Sequence, residues 1–270
     1  MQKLFTSLFL VLMGFSSYCQ TDQNSSQLSQ KDQLAKQLQN PLANLISVPF
    51  QGNYDVGFDP AEGERFLLNI QPVVPMSISE DWNLIGRIIL PIISQTDVFG
   101  ESGNQSGLGD ALITAFFSPK QPTSGGIIWG VGPAFQIPTA TDIVLGTEKF
   151  SIGPSAVGLT QIGGFTVGAL VNHLWSVAGS SKRADINNSF IQPFIAKNFQ
   201  GGYALAINTE FLQDWKKKDS NGTINIMGSK VVAFGEQKIQ FLIGPRIPYG
   251  NANDAGWGIR GGFVLLFPSR

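Results

Sequence analysis

The chain contains one histidine, His173, and one cysteine, Cys19, which narrows the chemistry open to it. A serine nucleophile needs a base within hydrogen-bond reach. Ser176 stands three residues after His173, and on a strand that spacing sends the two side chains to opposite faces. Asn172 points away from the histidine for the same reason. Only a serine from elsewhere in the fold could pair with His173. The alternative is an interfacial histidine with no catalytic part, and the spacing favours it. A single histidine with a single cysteine gives no zinc spacing. Asp219-Ser220-Asn221-Gly222 reads as a turn rather than a calcium loop. Gly107-Leu108-Gly109-Asp110 lacks the third glycine and the helix of a nucleotide loop, and reads as the start of a strand. The expectation is a protein that is not an enzyme, with no catalytic residue, no metal and no cofactor. Lys216-Lys217-Lys218 reads as a solvated loop tip, the alternative being contact with lipopolysaccharide phosphates. A formal charge of −1 without a long basic run gives no sign of a nucleic-acid partner, and none is expected.

The remaining polar residues become informative once the elements carrying them are identified. In the last hairpin, residues 238–267, Ile239, Phe241, Ile243, Ile247 and Tyr249 alternate with Gln240, Gly244 and Arg246. After a turn at Asn251–Asp254, Trp257, Ile259, Phe263, Leu265 and Phe267 alternate with Gly258, Arg260 and Gly262. Period two means strand. Large apolar residues on one face, with glycine and arginine on the other, suit a barrel that turns its apolar face to lipid. The same pattern predicts twelve strands, at 48–58, 65–78, 82–93, 107–118, 126–139, 150–161, 165–178, 188–199, 203–215, 223–234, 238–249 and 256–268. Most exceed the roughly 9 to 11 residues that a tilted membrane strand needs. Parity turns Asn53, Asp55, Asn69, Gln71 and Asn83 inward. It also assigns Arg87, Asp110, Gln136, Asn172, Asn208, Glu210, Arg246 and Arg260 to the lumen lining. Such a lining acts as internal ion pairs, with Arg87, Arg246 and Arg260 set against Asp110 and Glu210 across a constriction, as a polar path, or as both.

Two further patterns agree. Entry from the periplasm predicts long odd-numbered connections, such as 94–106 and 140–149, and short even-numbered ones, such as 163–164 and 200–202. Residues 59–64 and 119–125 are the exceptions. All five tryptophans (Trp82, Trp129, Trp175, Trp215 and Trp257) fall near strand ends with outward parity, as two aromatic girdles require. Prolines inside strands, at 72, 133, 154, 193 and 245, cut against this, because proline cannot donate to the ladder. Bulges or kinks are expected there.

Residues 1–19 read as a cleaved signal peptide: Lys3, an apolar run from Leu4 to Phe15, and Ser17-Tyr18-Cys19 before Gln20. Residues 20–47 form a periplasmic segment in which Leu34, Leu38, Leu42 and Leu45 follow helical spacing and Pro41 interrupts it. We read it as a loose leader, with a short helix docked in the barrel mouth as the alternative. Residues 48–270 form the barrel. The fold class is all-β: a single antiparallel transmembrane barrel of about twelve strands.

Several stretches carry a family likeness: Gln39 to Gln51 (QNPLANLISVPFQ), Asn69 to Pro75 (NIQPVVP), Trp82 to Pro91 (WNLIGRIILP), Gly107 to Asp110, and Trp175 to Gly179 (WSVAG). Together they resemble a family of Gram-negative outer-membrane proteins named for the meta-pathway of phenol degradation, some of them labelled neuromedin U. The resemblance implies an outer-membrane channel for small, apolar or aromatic solutes; the partners expected of a barrel in that membrane are its lipid, lipopolysaccharide and a small-molecule solute. A non-conducting structural barrel and a lipid-modifying barrel enzyme are the alternatives.

Overall fold

A computed structural model describes residues 21–250 and 255–267. The expected signal peptide, with Cys19, and the expected turn at 251–254 lie outside the described residues. One helix, α1 (Thr21–Leu38), precedes fourteen strand segments. They are β1 (Ile46–Phe58), β2 (Gly63–Ile70), β3 (Val73–Ser77), β4 (Trp82–Thr96), β5 (Asn104–Leu108), β6 (Ala111–Pro119) and β7 (Ile127–Ile137). The second half continues with β8 (Lys149–Ile162), β9 (Phe165–Gly179), β10 (Asn187–Phe199), β11 (Tyr203–Asp214), β12 (Asp219–Phe234), β13 (Gln237–Gly250) and β14 (Trp257–Phe267). β4 pairs with both β2 and β3, and with both β5 and β6. Each of those couples is therefore one span with a break, giving twelve antiparallel spans. β1 pairs with β2 on one side and β14 on the other, so the sheet closes and leaves no edge to aggregate.

The walls alternate as parity requires. Phe66, Ile88, Phe117, Val131, Val167, Ile195, Leu205, Phe241, Ile243 and Phe263 are exposed on the outside. Asn53, Asp55, Asn225, Arg246 and Arg260 are buried inside. Trp82, Trp175, Trp215 and Trp257 are exposed, and Trp129 packs edge-on against Trp82 at 5.9 Å.

Of the bulges or kinks expected at the interior prolines, no bulge forms at the Gly-Pro pairs. Pro133 and Pro154 face one another across β7 and β8. At Gly132-Pro133, Gly153-Pro154 and Gly244-Pro245 the ladder to the other neighbour skips two residues on each strand and resumes in the same register. A Cβ on the preceding glycine would lie 1.8, 1.7 and 1.8 Å from the carbonyl oxygens of Ala115, His173 and Ile226. Each Gly-Pro pair thus lets the strands close up where proline offers no N–H. Pro72 behaves differently, marking the break between β2 and β3.

The N-terminal segment also departs from the loose leader. α1 lies against β10, β11 and β12 at the end of the barrel with the short turns. Pro41 follows the end of the helix, since it cannot continue an α-helical ladder. The leucine stripe consequently divides. Leu42 enters a core with Ile85, Phe116, Val157, Leu159 and Leu170, and Leu45 joins Ala35, Val231, Val264 and Leu266. The Gly202 amide donates to Asp32 Oδ1 at 2.7 Å, and Gln161 Nε2 donates to the Lys36 carbonyl at 3.1 Å.

Candidate functional site: the arginine belt and its chamber

Alternation within β1, β11, β12, β13 and β14 points one polar residue after another into the same level of the lumen. Arg246 on β13 donates from Nε to Asp55 Oδ1 at 2.8 Å and from Nη2 to Asp55 Oδ2 at 3.4 Å. Its Nη1 reaches Asn225 Oδ1 at 3.1 Å and Asn53 Oδ1 at 3.3 Å. Arg260 on β14 grips Glu210 bidentately, at 2.8 and 3.0 Å, and gives its Nε–H to Asn53 Oδ1 at 2.7 Å. Asn225 Nδ2 donates to Asn208 Oδ1 at 2.8 Å. Glu210 also lies 3.7 Å from Arg246. Buried charges of this kind persist when they are paired and hydrogen-bonded, and here each guanidinium meets a carboxylate and at least one asparagine oxygen.

Two further inward arginines flank the belt. Arg65 on β2 donates to Gln95 Oε1 at 2.9 Å and stands over the Phe58 ring at 4.9 Å. Arg87 on β4 donates from Nη2 to Gln71 Oε1 at 2.6 Å. Four guanidiniums thus line this part of the lumen with two carboxylates, Asp55 and Glu210, an excess of two positive charges, with Arg65 beside Gln95 toward the long-loop end and Arg87 beside the chamber.

Between the belt and residues 37–45 lies a chamber of about 290 Å³, bordered by Gln51, Gln71, Arg87, Gln192, Asn208 and Arg260 and by Val73, Leu170, Phe194 and Leu242. Of the eight residues predicted to line the lumen, Asn208, Glu210, Arg246 and Arg260 meet in the belt, and Arg87 borders the chamber. Asn172 is buried on the inner wall, in register with Ser155 and Phe190.

Asp110 and Gln136 do something else. The expectation placed Asp110 opposite the arginines, but Asp55 takes that position. Asp110 instead accepts the Thr147 amide and hydroxyl at 2.7 and 2.6 Å, Gln136 Nε2 at 3.2 Å and the Ala140 amide at 3.3 Å. It ties the 138–148 loop into the long-loop end of the barrel. Gly107 leaves room for that loop, since a Cβ there would lie 2.1 Å from Thr141 Oγ1, whereas one on Gly109 would press on Pro91 Cγ at 2.9 Å. Sequence reading gave this loop no inward role. It also missed Asn225 and Arg65, although Asn225 lies in phase with Met227 and Ser229 and parity would have found it. Nearby, Lys149 Nζ holds Asp185 at 2.9 Å, and this hydrogen bond and charge keep the Asp185 carboxyl below its usual range.

On the outer surface, His173 does find a distant serine. Its Nδ1 lies 2.7 Å from Ser189 Oγ, and Trp215 Nε1 donates to the same oxygen at 2.9 Å. His173 Nε2 is buried and makes no hydrogen bond among the described residues.

No protein-family model matches the chain. No curated protein matches it in sequence. In structure it is similar to an outer membrane channel from Pseudomonas putida F1, with a TM-score of 0.65 and 13% identity, over 83% of this chain and 96% of that one. Weaker likenesses are to the translocator domain of the autotransporter NalP from Neisseria meningitidis (TM-score 0.46, 12% identity, 92% and 98% covered) and to outer membrane phospholipase A from Escherichia coli (0.44, 9%, 88% and 98%). At such identities the first comparison establishes the fold, a closed antiparallel barrel of the kind found in outer-membrane proteins.

Proposed function

We propose that the protein is an outer-membrane channel through which small solutes, including apolar and aromatic ones, diffuse passively along a narrow, charged lumen. The similarity to a Pseudomonas putida outer membrane channel favours this reading. In it, residues 1–19 are removed on export, residues 20–47 face the periplasm, and the Lys216–Lys218 hairpin meets lipopolysaccharide. The observation that carries the proposal is the chamber beside the belt. A barrel with only a scaffolding role has no use for unfilled space behind its mouth, and side chains can fill a narrow barrel completely. Residues 21–45 then narrow the inner mouth, held by apolar contacts and by Asp32 on the Gly202 amide. Planar-bilayer recording on the intact chain and on Asp32→Ala tests this. Small conductance that rises in Asp32→Ala is expected. No conductance in either, with no uptake of small aromatics in liposome swelling, leaves the non-conducting structural barrel.

One observation favours a second reading, a lipid-modifying enzyme: the His173–Ser189 contact on the lipid-facing wall. Trp215 N–H can only donate, so Ser189 Oγ accepts it and one oxygen lone pair is engaged. Among the described residues no carboxylate bonds to His173 to orient its ring, as a triad requires. Phospholipid hydrolysis by purified protein that is lost in both His173→Ala and Ser189→Ala would establish this reading.

A further inference from the structure

Of the four inward arginines, Arg87 and Arg65 have no ion-pair partner among the described residues, and Arg87 lacks also the ring contact that Arg65 makes with Phe58. The one side-chain hydrogen bond of Arg87 goes to the neutral Gln71, and no carboxylate among the described residues lies within ion-pair distance of it. Glu210 is the carboxylate whose field reaches Arg87, but both Glu210 oxygens are already held by Arg260 and one lies near Arg246. A guanidinium carries five N–H donors in a rigid fork, so most of the Arg87 fork is available. Arg87 is partly solvent-accessible deep inside the barrel because it borders the chamber. Opposite it the wall is mixed, with the amide of Gln192 beside Leu170 and Phe194.

We propose that this chamber is a binding site for a small organic carboxylate, anchored at Arg87, with its apolar body against Leu170 and Phe194. The fork geometry of a guanidinium matches a planar carboxylate with two parallel hydrogen bonds. One under-compensated cation suits a monoanion better than a phosphate dianion. The apolar wall distinguishes an organic anion from chloride, which gains nothing from it. The volume of about 290 Å³ lies at the lower end of the range of small-molecule pockets, roughly 300–1,000 Å³, which limits the ligand to about one ring or a short chain. The inference names a solute class for the proposed channel and rests on that reading for its biological meaning. Binding itself needs no conduction.

The test is calorimetric titration of the full-length protein in detergent and low chloride with benzoate and, separately, with its neutral relative benzyl alcohol. Benzoate is expected to bind saturably and at least about tenfold more tightly than benzyl alcohol, the scale of a charge-assisted hydrogen bond. Arg87→Gln should lose that advantage and leave benzyl alcohol unaffected, while Arg87→Lys keeps part of it. If Arg87→Gln does not fold, as judged by the heat-modifiable shift on a gel, the benzoate to benzyl alcohol ratio of the unmutated protein decides. Equal affinities, absence of saturable benzoate binding, or undiminished binding in folded Arg87→Gln would each overturn the site. A barrel that binds benzoate but never conducts would refute the channel and leave the site standing.

Discussion

Replacing Arg246 with alanine should be among the most damaging single changes to the interior, and the structure allows its size to be worked out. The substitution removes two hydrogen bonds to Asp55 and one each to Asn53 and Asn225. It leaves the Asp55 side chain, about 10% exposed, as a buried carboxylate without its contact partner. Breaking such a pair costs about 3–5 kcal/mol, because the remaining charge still bears its desolvation penalty. Arg65 still exerts an attractive field on Asp55, which argues for the lower end, about 3 kcal/mol. At about 1.4 kcal/mol per decade, the folding equilibrium should fall roughly a hundredfold. Urea unfolding in vesicles, followed by tryptophan fluorescence, reads this directly, because the chain has five tryptophans and the girdles hold them at the lipid interface. The double variant Asp55→Ala, Arg246→Ala leaves no orphaned carboxylate. It should cost less than the sum of the single changes by about 1–3 kcal/mol, the usual range for coupled neighbours. Strict additivity, or a loss below about 1 kcal/mol for Arg246→Ala, would show that lumen water screens the pair and that the belt does not hold the wall together.

Phe263→Arg should impair membrane assembly, because it breaks the stack on Phe50 at 4.8 Å and turns a charge to lipid at a cost of about 2–4 kcal/mol. Gly262→Arg looks milder by facing alone, but a Cβ there would lie 2.2 Å from the Phe50 carbonyl oxygen. Both variants should therefore fail in a heat-modifiability assay, and a folded Gly262→Arg would mean that the β1–β14 seam can open enough to admit a side chain there. Asp110→Ala should release the 138–148 loop and raise single-channel conductance without moving the urea midpoint much; an unchanged conductance would mean that the loop does not limit flow. Asp185 is held below its ordinary carboxyl value of 3.8, so its ion pair contributes fully above that value and is lost as the pH falls through the lower folded-state value. Pepsin cleavage in the 180–186 loop should accordingly rise only under strong acid, and Asp185→Asn should be cut at milder pH, with identical profiles telling against the pair.

The barrel was legible in the sequence because a transmembrane wall imposes one rule on every residue. Ile243 and Arg246 differ by an odd number and so face opposite media, and the same arithmetic carried through all twelve spans. That rule fixes which side a residue faces, but not the height at which it meets residues from other strands. Arg246 and Asp55 are 191 positions apart, and their meeting depends on the relative stagger of strands across the β1–β14 closure, which local alternation does not contain. For this reason the belt's composition was readable and its pairing was not, and Asp110 was assigned to arginines it never touches. The N-terminal segment failed for a different reason. Leu34, Leu38, Leu42 and Leu45 look like one helical stripe broken by Pro41, and a broken stripe reads as a weak helix. In the fold the break is what directs Leu42 and Leu45 into two separate cores, so the residue that spoils the helix seats the segment in the barrel. The Gly-Pro pairs follow the same logic. Each is a local defect for a single strand and becomes a close contact only once the neighbouring strand is in place.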